Sequence, residues 1–252
     1  MENLISCIVI MNHVERLAEA KVLQKQIKRQ ADAYGIPVYI QTDYTQHYKD
    51  KQHRYKGVAE NYLKCLSYPN EHKGRYRIVI QDDVLMPPLC LQNIHTILEV
   101  APGGHVIGLY NPTNSGYTEA LEQKHYVMST VANLWTQCAA WDESLIAEYL
   151  DWTEKNVEVG LEGEDFQMYV FHKMTGRKVY VALPSCVQHL GRNRSMFGFP
   201  GTINGIKRCS ENYDPDFRFE KIDWAYEFSH PYNDKVTISS AKALRIFKQK
   251  SE

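Results

Sequence analysis

Apolar positions in the first hundred residues alternate between two rhythms. "LISCIVIM" (4–11) is an unbroken apolar run, the pattern of a strand covered on both faces. Residues 14–34 place Val14, Leu17, Ala20, Val22, Leu23 and Ile27 on one broad helical side, and Gly35 is suited to stop that helix. "IPVYIQTD" (36–43) reads as a second strand ending on Asp43, "GVAENYLKCL" (57–66) as a helix, and "RIVIQDD" (77–83) as a third strand. Pro87 and Pro88 are placed to open a helix carrying Leu91, Ile94, Ile97 and Leu98, and "HVIGLY" (105–110) reads as a fourth strand. Strands and helices alternating over short connections predict an α/β domain, a parallel sheet with helices on both faces. In such a sheet the ligand crevice lies beyond the carboxyl ends of the strands. Asp43 and the pair Asp82–Asp83 both close predicted strands, so they share that edge.

The rhythm changes near residue 126. "YVMSTVANLWTQCAAW" (126–141) predicts one or two longer strands, and Asp142 caps a helix over 143–156. Phe166, Val170 and Met174 keep helical step from about residue 164, Gly176 ends that helix, and "VYVALPSCVQHLG" (179–191) returns to strand. A segment with several Gly, Arg and Asn residues follows, then a polar tail. With no repeat and no clean linker, the preferred division is one composite domain with halves 1–125 and 126–200 and an extension over 201–252.

Composition narrows this little. A chain of 252 residues buries a core without a disulfide or metal staple, and 44% hydrophobic with 23% charged residues is ordinary for a globular protein. A net charge of −1 gives no global pull toward nucleic acid or an acidic membrane. The six cysteines are scattered without a CxxC pair, which argues against a zinc knuckle and for small buried hydrophobes in a reducing compartment. The first apolar run is too short to span a membrane and lacks a basic start and a cleavage-like site. The expectation is a cytoplasmic protein, in the host cytoplasm if the source is viral.

Four features carry chemistry, each with a plainer reading beside it. Asp82 and Asp83 at a strand end suit a hard divalent cation with oxygen ligands, or else cap the strand by bonding nearby backbone. His189 is a packing residue unless the fold brings it to the Asp83 edge, where a neutral imidazole would suit manganese or a similar ion. Glu164 and Asp165 fall in a helix first turn, where carboxylates meet the macrodipole favourably; a carboxylate there is also placed to serve as general base for an acceptor hydroxyl. Arg192 and Arg194, on a Gly-flanked loop, have the geometry to clamp a diphosphate, or are solvated charges.

Taken together and in this order, "IVIQDDV", "GEDFQM" and "PSCVQHLG" resemble the motifs of metal-dependent glycosyltransferases of the GT-A fold, over roughly residues 4–200. The resemblance implies a Rossmann-like sheet with a nucleotide-sugar-binding half and a smaller acceptor-side half. It makes Asp83 the main metal ligand with His189 completing the site, Asp82 a ribose or metal contact, Asp165 the base of an inverting transfer and Glu164 its orienting partner. Asp43 would contact the nucleoside, Gly57 and Asn61 would flank the nucleotide, and Trp135 and Gln137 would approach the donor sugar. Mn2+ or Mg2+ is the implied cofactor and a nucleotide-sugar, UDP-sugar favoured, the implied donor.

Two departures stand out. The motif is Asp-Asp-Val rather than Asp-x-Asp, and the loop ahead of "GEDFQM" lacks expected glycines. If the metal site failed, Arg192 and Arg194 would be the residues to stabilise the leaving group. The acceptor and the oligomeric state are open. A hydroxymethylated DNA base is one acceptor, motivated by Arg192, Arg194, Lys207, Arg208 and a basic tail. Two further classes compete: a nucleotidyltransferase on a similar sheet, which would need a Gly-rich triphosphate loop that "IVIMNHVERL" lacks, and a non-catalytic nucleotide-sugar-binding module.

Overall fold

The computed structural model describes residues 3–49, 55–112, 115–130, 136–158, 162–190, 202–203, 206–207, 210 and 213–233. In chain order the first elements are β1 (Asn3–His13), α1 (Leu17–Ala31), β2 (Val38–Asp43), α2 (Lys56–Leu66), β3 (Gly74–Gln81), β4 (Val84–Leu85), α3 (Cys90–Val100) and β5 (Val106–Gly108). There follow α4 (Ser115–Glu122), β6 (Val127–Thr130), β7 (Cys138–Asp142), α5 (Glu143–Asn156), α6 (Glu164–Thr175), β8 (Val179–Ala182) and β9 (Gln188–His189). β10 (Thr202–Ile203), β11 (Ile206–Lys207), α7 (Trp224–Ser229) and β12 (Tyr232–Asn233) complete the described elements.

Eight strands form one sheet in the order β12-β6-β8-β5-β7-β3-β1-β2. β2, β1 and β3 are mutually parallel, as the alternating pattern predicts. The fourth predicted strand, β5, has their direction too, since β3 and β5 both run antiparallel to β7. β7 is inserted antiparallel between β3 and β5, and β6 runs antiparallel to β8, so the sheet is mixed. The segment 126–141 supplies two short strands, β6 and β7, that pair with different partners rather than with each other.

β1 shows why its sequence is apolar throughout. Ile8 and Ile10 pack into a core with α1, α3 and α7, while Cys7, Val9 and Met11 pack into the opposite core with α2, α4, α5 and α6. A register irregularity between Ile5 and Cys7 puts Ile5 into the first core, out of the strict alternation. Each such side chain removed from water stabilises the fold by about 1.5–3 kcal/mol. In α1 the core face is Ala20, Leu23, Ile27 and Ala31; Val22, expected on it, is 61% exposed. Gly35 stops this region in the left-handed conformation, at φ 65°.

The five described cysteines, Cys7, Cys65, Cys90, Cys138 and Cys186, are free and buried, and Cys209 lies outside the described residues. Among the described residues no helix is long and apolar enough to cross a membrane.

Candidate functional site

The parallel trio β2-β1-β3 delivers its carboxyl ends side by side: His13 is in register with Asp43, and Met11 with Gln81. The acid pair is not inside the third strand, as the pattern suggested, but just past it. Asp82 N–H makes a bond of 3.1 Å to Met11 O, and the chain then turns into β4. Pro87 and Pro88 stand ahead of α3 rather than opening it. The residue preceding that helix is Leu89, in a left-handed conformation at φ 65°.

The turn has a function that the sequence pattern did not reveal. β4 pairs antiparallel with β9, setting Val84 opposite His189, and Leu190 N–H donates to Asp83 O at 2.8 Å. This two-residue ladder carries His189, 2% exposed, to the acid pair: its Nε2 lies 3.0 Å from Asp83 Oδ2. β9 is itself tied down, because the Gln188 side chain makes reciprocal 2.8 Å bonds with the backbone of Ser210.

Asp82 and Asp83 are also bridged by a residue that the sequence pattern did not single out. Arg16 Nη2 is 2.8 Å from Asp82 Oδ1, and Nη1 is 3.3 Å from Asp83 Oδ2. Asp82 is 7% exposed and accepts a 3.0 Å bond from Asn12 Nδ2. Burial raises its pKa to about 6 and the neighbouring Asp83 adds to that, with the Arg16 guanidinium opposing. Asn12 belongs to a buried amide chain. Its Oδ1 accepts from Thr42 Oγ1 at 2.9 Å, its carbonyl accepts from Asn61 Nδ2 at 2.9 Å, and Asn61 Oδ1 accepts from Gln41 Nε2 at 3.2 Å. Asn61 thus supports the acid pair through Asn12. Asn12 and Arg16 carried one available signal: polar side chains at the carboxyl end of an apolar strand, on the ligand edge of the sheet.

Asp43 closes β2 as a turn former, accepting from Thr45 N–H at 2.8 Å and Thr45 Oγ1 at 3.0 Å. Gly57 is in contact range: a Cβ there would lie 2.6 Å from Asp43 Oδ2 and 2.8 Å from Thr45 Oγ1, so those side chains or α2 would have to shift to admit one.

The Glu164–Asp165 pair begins α6 at the same edge. Thr136 Oγ1 donates to Glu164 Oε1 at 2.8 Å, and Gln81 Nε2 donates to Thr136 Oγ1 at 3.0 Å, linking this helix start to the strand that ends in the acid pair. Glu164 is buried, and burial, with the charge of Asp165 next, raises its pKa from the usual glutamate range to about 7. Asp165 is exposed, and its Oδ1 accepts from Phe166 N–H at 2.8 Å. Gln137 sits just before β7; its carbonyl accepts from Gln81 N–H at 2.9 Å, and its buried Oε1 has no hydrogen-bond partner among the described residues. Trp135, Arg192, Arg194 and Arg208, the Lys207 side chain and the basic tail lie outside the described residues.

The raised Glu164 carboxyl sets the sign of a stability effect. From about pH 4.5 to about 7 the folded chain holds a proton there that the unfolded chain releases, so stability falls as pH rises through that window. Glu164→Gln keeps an oxygen for Thr136 and removes the charge. It should leave stability near pH 4 unchanged and raise it by on the order of 2 kcal/mol above pH 7. Urea unfolding of both proteins at pH 4 and 7.5 checks this; equal stability at 7.5 contradicts it.

Among the described residues no three of His, Cys, Asp and Glu are grouped to hold a metal ion by themselves. What the edge offers is one carboxylate oxygen and one imidazole nitrogen facing each other, with a second carboxylate alongside. That donor set fits a divalent ion that shares its coordination with substrate phosphate oxygens and water.

No family model matches the sequence. No curated protein sequence is detectably similar to it. Among solved structures, one similar in part is the crystal structure of a glycosyltransferase involved in the glycosylation of the major capsid of PBCV-1. The match has 10% identity and a TM-score of 0.36, and it covers 58% of this chain and 66% of that one. A likeness at that level specifies neither the fold nor the chemistry of this chain.

Proposed function

We propose that the chain is a glycosyltransferase that moves a sugar from a nucleotide-sugar, UDP-sugar favoured, to an acceptor hydroxyl with inversion. The observation that supports this most is the meeting of Asp83 and His189 across the β4–β9 ladder, beside a sheet edge that also carries Glu164 and Asp165.

In this reading Asp83 and His189 would hold Mn2+ or Mg2+ together with the donor diphosphate, and the imidazole would favour manganese. When bound, the ion would supply positive charge to offset the charge of the leaving diphosphate. Asp82, fixed by Asn12, contacts the ribose or the ion. Gln137, whose Oε1 has no hydrogen-bond partner among the described residues, faces the donor sugar. Asp165, exposed at the helix start, accepts the acceptor hydroxyl's proton as that oxygen attacks the anomeric carbon. Glu164, held by Thr136, orients Asp165 or the bound sugar. The acceptor supplies a hydroxyl, and a modified DNA base remains one such acceptor.

Thermal shift with UDP-, GDP-, CMP- and dTDP-sugars, with and without Mn2+, tests the reading. One nucleotide class at about a hundredfold its Kd should raise Tm by about 5–10 °C with Mn2+ and by much less without. Silence from every donor contradicts it.

A further inference from the structure

Arg16 stands in a short turn between β1 and α1, and its guanidinium reaches the two aspartates together. The oxygen it bonds on Asp83 is Oδ2, the same atom that faces His189 Nε2. One carboxylate oxygen therefore serves both the resident guanidinium and the imidazole. A divalent ion held by that oxygen and that nitrogen would come within a few ångströms of the guanidinium, where two positive charges repel strongly in a half-buried setting.

The two aspartates respond differently to losing Arg16. Asp82 is buried, with only 6% of its side chain exposed, so leaving its charge unpaired is costly. Asp83 is more open, and so is Arg16, with 26% of its side chain exposed on a short turn. The guanidinium has room to leave, yet the acid pair opposes its departure until another positive charge arrives.

We propose that Arg16 is a built-in competitor for the divalent ion. It neutralises Asp82 and Asp83 in the free protein, and metal entry is an exchange of one cation for another at Asp83 Oδ2. Arg16 is thereby a positioning residue that sets metal affinity. This rests on the metal reading of Asp83 and His189 given above, and the two fail in different ways.

The test is Mn2+ binding to the full chain without nucleotide at pH 7.5, followed by the electron paramagnetic resonance of free Mn2+. Arg16→Gln should bind Mn2+ about tenfold tighter than wild type, within the usual range of coupling between sites. Without metal it should melt below wild type, and Mn2+ should restore more of its Tm than it adds to wild type. Arg16→Lys keeps one charge but loses the fork, so its affinity should fall between the two; if Arg16→Gln does not fold, this variant carries the prediction. A folded Arg16→Gln, or in its place Arg16→Lys, that binds Mn2+ no tighter than wild type overturns the competition and leaves the metal site standing. If wild type and both variants bind no Mn2+ without nucleotide, the competition is overturned; if Asp83→Asn binds Mn2+ as well as wild type, the metal reading falls and the competition with it.

Discussion

Asp83→Asn should lower sugar transfer by about 10²–10³-fold and remove the Mn2+-dependent part of donor binding. The substitution changes charge and almost nothing else. Asparagine matches aspartate in volume, its amide oxygen can still face His189 Nε2, and the backbone bond from Leu190 N–H to the carbonyl of residue 83 does not involve the side chain. What disappears is the negative charge that Arg16 and the imidazole both face. Turnover at saturating donor, measured across a Mn2+ titration with melting curves alongside, separates this from misfolding. A folded variant with near-normal turnover would place the chemistry elsewhere.

Asp165→Asn should cost about 10²-fold or more in turnover while donor affinity stays the same. Asparagine can still accept from Phe166 N–H, so the first turn of α6 keeps its local bond. The comparison with Glu164 matters because the two carboxylates sit in different surroundings. Glu164 is buried against Thr136, whereas Asp165 is exposed, where an incoming acceptor can reach it. If Glu164→Gln lost far more turnover than Asp165→Asn at equal donor affinity, the base would be Glu164 and the two roles would exchange.

What could be read from the chain follows from how local each signal is. The both-face burial of β1, the capped helix after Asp142 and the Gly35 stop rest on neighbouring residues, and local patterns carried them. The antiparallel insertion of β7 between β3 and β5 is a choice of partner, and a five-residue strand with all positions buried has the same pattern in either direction. The exposure of Val22 shows the limit of a broad helical face: it neighbours Leu23 in sequence but points to solvent.

The site divides in the same way. Carboxylates at strand ends were visible, because the sheet edge collects them by topology. The approach of His189 depends on a two-residue ladder too short to leave any periodicity. Arg16 fell inside the predicted helix 14–34 without disturbing its pattern and Asn12 fell just past the predicted strand 4–11, although both bond directly to the acid pair.

The most direct measurement is 31P NMR of nucleotide-sugar turnover, run with Mn2+ on wild type and Asp83→Asn across the donor panel. Wild type should release nucleoside diphosphate from one class of donor, and Asp83→Asn about a hundredth as much or less. Equal release by the two proteins, or no release from any donor by wild type, would contradict the proposed function.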